Sequence, residues 1–247
     1  MEVHAHSHTE RKKWTHYFWE FLMLFLAVFC GFLAEYQLEH IIERDREKQF
    51  IATLVEDLKS DTAQLTETIL YKKSREKMCD SLIIYLAKPD YKKYGNDIYY
   101  YARNLARPQY FFPNDRTLQQ LKNSGALRLI RKLSVSDSIM FYDQQLRYLS
   151  VLNDDERGFR ENLRETIGSV FDGKVLYSQF DSIDIRNYRR PEGNPSLLLQ
   201  DAISINNVIS STQYLKSVLR GVRVRLELTR NAATSLLSFL QKEYGIK

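Results

Sequence analysis

The residues best suited to chemistry are three histidines near the N-terminus. His4, His6 and His8 alternate along the chain, and alternation places the three imidazoles on one side of an extended segment. Neutral imidazole binds zinc, copper and nickel. Because no cysteine or acidic ligand accompanies them at a fixed spacing, a polar tail that binds no metal is the alternative. The sequence therefore offers one metal-site hypothesis, on the polar tail of residues 1–16.

The remainder of the chain offers little to catalysis. All five histidines lie at or before position 40, which excludes histidine-based nucleophilic, acid–base or zinc chemistry beyond it unless the tail reaches there. Three acidic residues are consecutive at 154–156, but neighbours in sequence on a helix point in different directions. We therefore predict no catalytic residues, no cofactor and no enzyme activity.

A second group of residues suggests contact between membrane helices. Glu20, Ala27 and Gly31 fall on one face of a predicted helix. Small residues four apart allow two helices to approach closely, and a carboxyl group is costly to expose to lipid. Self-association through this face is the hypothesis, and the alternative is that Glu20 only reaches to the lipid headgroups.

The element that carries this face is a predicted membrane span over residues 17–38. It is apolar on all sides, and no charge occurs from Phe21 to Ala34. A core helix needs only an apolar stripe, whereas a membrane span is apolar all round. Aromatic and basic residues precede it, as is typical of a membrane interface. The chain is predicted to cross a membrane once.

A cleaved signal peptide would begin in a similar way. However, Phe32 is too large for a cleavage site, and Phe29 before Cys30 does not fit a lipoprotein signal. We interpret the segment as an uncleaved signal anchor. Three basic residues lie directly before it, and this position favours a cytoplasmic N-terminus with the main domain on the far side of the membrane.

Residues 39–247 are predicted to form one helical soluble domain. Nine glycines and five prolines in 247 residues favour helices. The membrane helix is predicted to continue into a long charged helix that ends near residue 71, followed by a shorter helix over 74–87. Two further helices are predicted to either side of residue 150. An irregular connection is predicted at about 172–195, with a short strand at 175–180 as an option. The apolar seam of the long charged helix consists of Ile51, Val55, Leu58, Thr62, Leu65 and Ile69.

The last helix has the clearest heptad pattern. Its apolar positions, over residues 208–240, predict antiparallel packing against the helix of residues 39–71, so the fold is an all-α bundle. A homodimeric coiled coil through the same heptads is the alternative. Basic residues on this helix are predicted to pair with Glu56, Asp57 and Asp61. The heptad residues are Val208, Thr212, Leu215, Leu219, Val222, Leu226, Thr229, Ala233, Leu236 and Leu240.

The segment of residues 90–113 is rich in tyrosine, phenylalanine, lysine and arginine. Rings interleaved with cations suit a single-stranded nucleic acid, but tyrosines are equally typical of the edge of a core. The net charge of +5 is only mildly basic. Packing is therefore the favoured interpretation, and nucleic acid is not an expected partner.

A short tail, a span with an acidic residue near its start and a charged helix with Glu56, Asp57 and Asp61 precede the motif LKNSGALRLI at 121–130. With Phe141-Tyr142, this order resembles a family of uncharacterised bacterial single-span membrane proteins over about the first 150 residues. The family often has two tyrosines where this chain has Phe141-Tyr142. The resemblance implies a bacterial inner-membrane location and a helical domain, and it implies no activity.

The leading functional prediction is a membrane-anchored helical interaction protein, serving as a sensor, scaffold or assembly component of the bacterial cell envelope. The expected partners are the bilayer, proteins that the sequence does not identify, and further copies of the chain. The alternative is a nucleic-acid-binding or effector module that the anchor tethers at the cytoplasmic face and that binds through residues 91–112.

Overall fold

The computed structural model describes residues 14–180 and 188–246. Helices account for most of them, and neither described range contains a strand. The predicted all-α class is confirmed, with a long N-terminal helix and a long C-terminal helix packed against it. Short 3-10 turns occupy Tyr91–Tyr94 and Ala126–Leu129. The helices are α1 (Trp14–Leu86), α2 (Gly95–Leu105), α3 (Arg116–Asn123), α4 (Leu133–Val170), α5 (Gly173–Ser178) and α6 (Ala202–Tyr244).

The chain divides into two compact units, one ending at Gln49 and the other beginning at Phe50. Within the first unit, the apolar side chains of α1 from Trp14 onward are exposed, except that of Leu22, which is half-buried. An 18-residue window of α1 has a mean hydropathy of 2.0 and no buried residue. By length and composition, α1 is therefore able to cross a membrane, and a signal sequence would meet the same criteria.

The second unit is built on three long helices: α1 from Phe50, α4 and α6. Tyr142 donates to Asp61 at 2.7 Å and Lys72 to Glu156 at 2.5 Å, so α1 and α4 run parallel. Helix α6 is antiparallel to α1, because Lys216 contacts Asp80 and Arg223 contacts Glu76. It is also antiparallel to α4.

The core of this unit follows the predicted seams. All ten predicted heptad residues of α6 are buried, and the seam residues of α1 are buried except Thr62, which is half-buried. One apolar cluster joins the buried residues of the α1 seam to Val222 and the later heptads. A second joins Leu82 and Leu86, further along α1, to the earlier heptads. The heptads of α6 therefore pack within a single chain.

Several predicted boundaries were wrong. Helix α1 continues without a break through residues 71–74 to Leu86, and α4 is one helix where two were predicted. Residues 175–178 of the optional strand belong instead to helix α5, whose N-cap Asp172 accepts from the backbone N–H of Lys174. In each case the local pattern was ambiguous, and contacts with distant helices decide the outcome.

The glycine in the LKNSGALRLI motif ends a helix as expected. Gly125 has φ +68°, directly after Ser124 at the C-terminus of α3. A left-handed residue at this position is readily adopted by glycine and lets the chain turn sharply into the 3-10 turn that follows.

Candidate functional site

An open groove lies between α4 and α6 in the second unit. It contains two concavities of about 920 and 840 Å³. The first is lined mainly by polar residues from Asp154 to Val170 on α4 and from Ser204 to Tyr214 on α6. The second lies at the other end of the two helices and is lined by Phe141, Leu228 and Phe239, among others.

The α6 side of this groove is a second heptad stripe, offset from the buried one. Its residues are all exposed except Ser210, which is half-buried. None of them is charged, although lysine and arginine residues are frequent elsewhere on α6. We call this set the outer stripe: Ile203, Asn207, Ser210, Tyr214, Ser217, Gly221, Val224, Leu228, Asn231 and Ser235.

Large apolar side chains in the outer stripe remain in contact with water. Ile203 is 75% exposed, Tyr214 63% and Leu228 49%. Serine and glycine lie between them and add little bulk. A helix surface that combines exposed apolar side chains, small residues and no charge is typical of the central part of a protein interface, where charged residues are depleted.

The α4 side of the groove contributes aromatic rings. Phe159 stacks on Tyr214 with ring centroids 6.2 Å apart. At the second concavity, the guanidinium of Arg225 lies 3.9 Å from the Tyr148 ring centroid and donates to Gln145 at 3.0 Å. These contacts hold the walls of the groove in place. Phe141 and Tyr148 remain more than half exposed.

A buried charged network lies on the opposite side of α4. Lys72, Glu156 and Arg160 are at most 1% exposed. The carboxylate of Glu156 accepts from Lys72 at 2.5 Å and also from Arg160. Burial lowers the pKa of Lys72 to about 8. A perturbed lysine is a common feature of active sites, but here both charged partners are enclosed.

The network has a structural role at the end of α2. Arg160 donates to the carbonyls of Leu105 and Arg107. Arg164 donates to Ala106 at 2.7 Å, and Tyr71 donates to Arg107 at 2.8 Å. The last carbonyls of a helix lack partners within it, so side chains of α1 and α4 satisfy them and fix α2 in place.

Among the described residues, the acids predicted to pair with the bases of α6 contact other groups instead, and Glu56 pairs with Lys59 at 2.9 Å. Asp57 accepts from Arg116 at 3.0 Å and from Thr117 at 2.5 Å. Asp61 accepts from the backbone and side chain of Asn114 and from Tyr142. Burial raises the pKa of Asp61. Asp57 therefore holds the first turn of α3, and Asp61 holds the chain just before it. The bases of α6 reach Glu76 and Asp80, which lie further along α1.

The aromatic and basic segment is mostly packed. Tyr99 is buried, and its hydroxyl donates to the carbonyl of Ser196 and accepts from the N–H of Asp172. Lys88 lies over the rings of Tyr85 and Tyr94. Within the part of the chain that the structure describes, a lysine or arginine side chain already lies over several of the rings. The arrangement is that of tyrosines at the edge of a core.

The predicted site residues have two outcomes. His4, His6 and His8 lie outside the described residues. Glu20, Ala27 and Gly31 are exposed on α1, where Glu20 is paired with His16 at 3.1 Å. Across residues 14–180 and 188–246, no group of three or more metal-ligating side chains comes together.

Comparison of the chain with protein-family models, curated proteins and solved structures finds no match. The resemblance to the single-span family therefore stays a prediction.

Sequence reasoning missed the outer stripe, although its signal is present. The steps from Ile203 to Ser235 alternate four and three, as they do in the buried heptads. Serine, asparagine and glycine fill many of the positions, so the stripe lacks the hydrophobicity by which a helix seam is recognised in a sequence. The absence of charge over these positions is the signal that could have identified it.

Proposed function

We propose that this protein is a membrane-anchored helical interaction protein of the bacterial cell envelope, acting as a sensor, scaffold or assembly component. The observation that carries the proposal is the uncharged outer stripe of α6 beside an open groove. An exposed surface of this kind suits the uncharged face of another protein helix. The second unit has its own complete core, so the stripe is not needed for folding.

The exposed apolar segment of α1 supports the anchor. It would hold the second unit at the inner membrane in a single-pass arrangement, with the N-terminus in the cytoplasm and the main domain in the periplasm. The three basic residues at positions 11–13 favour this orientation.

Within the membrane, the face of Glu20, Ala27 and Gly31 is proposed to bring copies of the anchor together. A Cβ added at Gly31 would meet no atom within 4 Å, so this position leaves room for a neighbouring helix. The Glu20→Leu variant tests the role of the carboxyl group. If this variant of the full-length protein associates in detergent micelles as strongly as the native protein does, this part of the proposal is wrong.

The proposed function is tested by photo-crosslinking in living cells. Benzoylphenylalanine is incorporated at Tyr214 or Phe141 in the full-length protein. The control position is Tyr177, which is 81% exposed and does not line the groove. Protein adducts of discrete mass at the two groove positions, and none at the control, are expected. Absence of adducts at both groove positions would overturn the proposal.

A further inference from the structure

We infer that the outer stripe is a self-association surface and that its occupant is the α4–α6 face of a second copy of this chain. This inference rests on the proposed function, because it identifies the partner at the same groove. It concerns residues that the chain itself leaves uncovered, and it is separate from the buried heptads of α6.

The first argument is charge. Two copies of one surface bring like residues close together, so any charged residue on it risks repulsion. The outer stripe avoids this cost entirely, since none of its ten positions is charged. On the α4 side, Phe141, Tyr148 and Phe159 are uncharged as well. The carboxylates Asp154, Asp155 and Glu165 line the first concavity beside them. The uncharged contact area is therefore the outer stripe together with these aromatic rings.

The second argument is periodicity. Positions spaced alternately by four and three residues drift by only about 20° per heptad around a helix, so they form a line that suits packing along another helix. The outer stripe keeps this spacing from Ile203 to Ser235. The partner must present a helical face of comparable length, and α6 of a second copy does so. Ser217 and Gly221 lie near the middle of the stripe and permit close approach of the helix axes.

The third argument is area. At 1.5 Å per residue the outer stripe is about 48 Å long, and two adjacent helices present a face roughly 18 Å wide. The resulting area is on the order of 850 Å², close to the ~800 Å² that each partner contributes to a standard stable interface. The α4–α6 face is thus large enough for a dimer. Tethering both copies to one membrane would raise their effective concentration further.

The test identifies what occupies the groove. Two full-length copies with different affinity tags are produced together in cells, one of them carrying benzoylphenylalanine at Tyr214. After irradiation, material purified through one tag is probed for the other. The expected product contains both tags and has twice the mass of the 29.2 kDa chain. The control position is Thr234, which is exposed on α6 but outside the outer stripe.

Failure of this inference is distinct from failure of the proposed function. An adduct with a different protein at Tyr214 overturns self-association and leaves the proposed function in place. Absence of any adduct at Tyr214 overturns the inference, and absence of adducts at Phe141 as well overturns the proposed function. Equal yields of the two-tag adduct from Tyr214 and Thr234 would indicate non-specific collision and would also overturn the inference.

A charge-insertion pair gives a second test. Leu228→Glu places a carboxylate in the stripe, and the matched variant Thr234→Glu places one elsewhere on α6. Because both positions are exposed, both variants are expected to retain helical content and thermal unfolding like those of the native protein. Leu228→Glu is expected to reduce the two-tag adduct at least tenfold, with Thr234→Glu close to native. Equal adduct yields from the two variants would contradict the inference.

Discussion

At Gly95 the backbone of one segment closely approaches that of another. A Cβ at this position would lie 2.0 Å from the carbonyl oxygen of Pro195. The N–H of Gly95 also donates to the side chain of Asn194 at 2.7 Å. The first residue of α2 and the connection before α6 are therefore held together by a contact that only glycine allows.

Substitution of Gly95 by alanine is expected to destabilise the protein by about 1–3 kcal/mol, because the backbone must shift to relieve the clash. Gly168→Ala is the control, since Gly168 lies in α4 with no atom within 4 Å of an added Cβ. Alanine there favours the helix by up to about 1 kcal/mol. Urea unfolding of both variants, followed by circular dichroism, measures the difference. A Gly95→Ala variant as stable as Gly168→Ala would refute the close approach.

Glu156 is the only carboxylate in direct contact with both Lys72 and Arg160 among the described residues. Glu156→Gln keeps the shape but leaves two buried cations without a counter-charge, so a loss of about 3–5 kcal/mol in the free energy of unfolding is expected. Glu161→Gln, at an exposed position of the same helix, should change it by less than about 0.5 kcal/mol. Similar losses from the two substitutions would show that the buried network does not stabilise the fold.

Lys72 makes stability depend on pH in the alkaline range. Burial lowers its pKa from 10.5 to about 8. Between these values the unfolded chain binds a proton that the folded chain has lost, so this group adds stability as pH rises. The free energy of unfolding of the native protein, minus that of Lys72→Met, is therefore expected to increase from pH 8 to 10.5, by at most about 1.4 kcal/mol per pH unit. Cys79 and Tyr142 are present in both proteins, so their contributions to the pH dependence cancel in this difference. A difference that falls with pH would contradict the assignment.

The residue scale is where sequence reasoning predicted least. Nothing in the local pattern separates Lys72, which is buried, from Lys73, which is half exposed. Burial of Lys72 depends on Glu156, which is 84 positions away. The partners of Asp57 and Asp61 were mispredicted for the same reason. Charged side chains on one helix have many candidate partners, and only the packing of the other helices selects among them.

At the scale of single elements, α6 carries two seven-residue patterns with different consequences. The buried pattern could be predicted because its residues are mainly leucine, valine and alanine, and all of them lie in the core. The outer stripe could not be recognised by hydrophobicity, since small polar residues alternate with its apolar ones. The lengths of α1 and α4 were underestimated because polar residues at 71–74 and 153–156 resemble loop segments.

Shortening a leucine is predicted to cost much more stability in the buried pattern than in the outer stripe. Leu219→Ala, in the buried pattern, is expected to lower the free energy of unfolding by about 2–5 kcal/mol, because it leaves a cavity in the core. Leu228→Ala, in the outer stripe, should change it by less than about 0.5 kcal/mol in dilute protein. Chemical unfolding of the two variants at low concentration makes the comparison. A large loss from Leu228→Ala in dilute protein would assign that residue to the fold.

At the scale of the whole molecule, composition and periodicity predicted the helical class and the antiparallel C-terminal helix. They also identified the segment of α1 that is long and apolar enough for a membrane. The orientation is a separate question, because it depends on a small imbalance of lysine and arginine near the span.

Topology is measured with a single accessible cysteine. In a Cys30→Ser background, Ser238→Cys places a thiol at an exposed position of α6. Cys79 is expected to remain unlabelled, because it is buried and its pKa is raised to about 12. A membrane-impermeant maleimide is expected to label intact cells as fully as lysed ones, with the parent Cys30→Ser protein unlabelled. Protection until lysis would place the main domain in the cytoplasm.

The participation of α6 in both apolar clusters has a consequence during synthesis. The ribosome makes α1 and α4 first, yet each cluster is closed by residues of α6, and Arg223 is 147 positions from its partner Glu76. At translation rates of about 5–20 residues per second, the interval from the end of α4 to the end of α6 is roughly 4–15 s. Throughout that time the nascent chain presents two unclosed apolar seams. The bundle therefore completes only when its last helix emerges, and a chaperone that shields apolar segments would act on it in that interval.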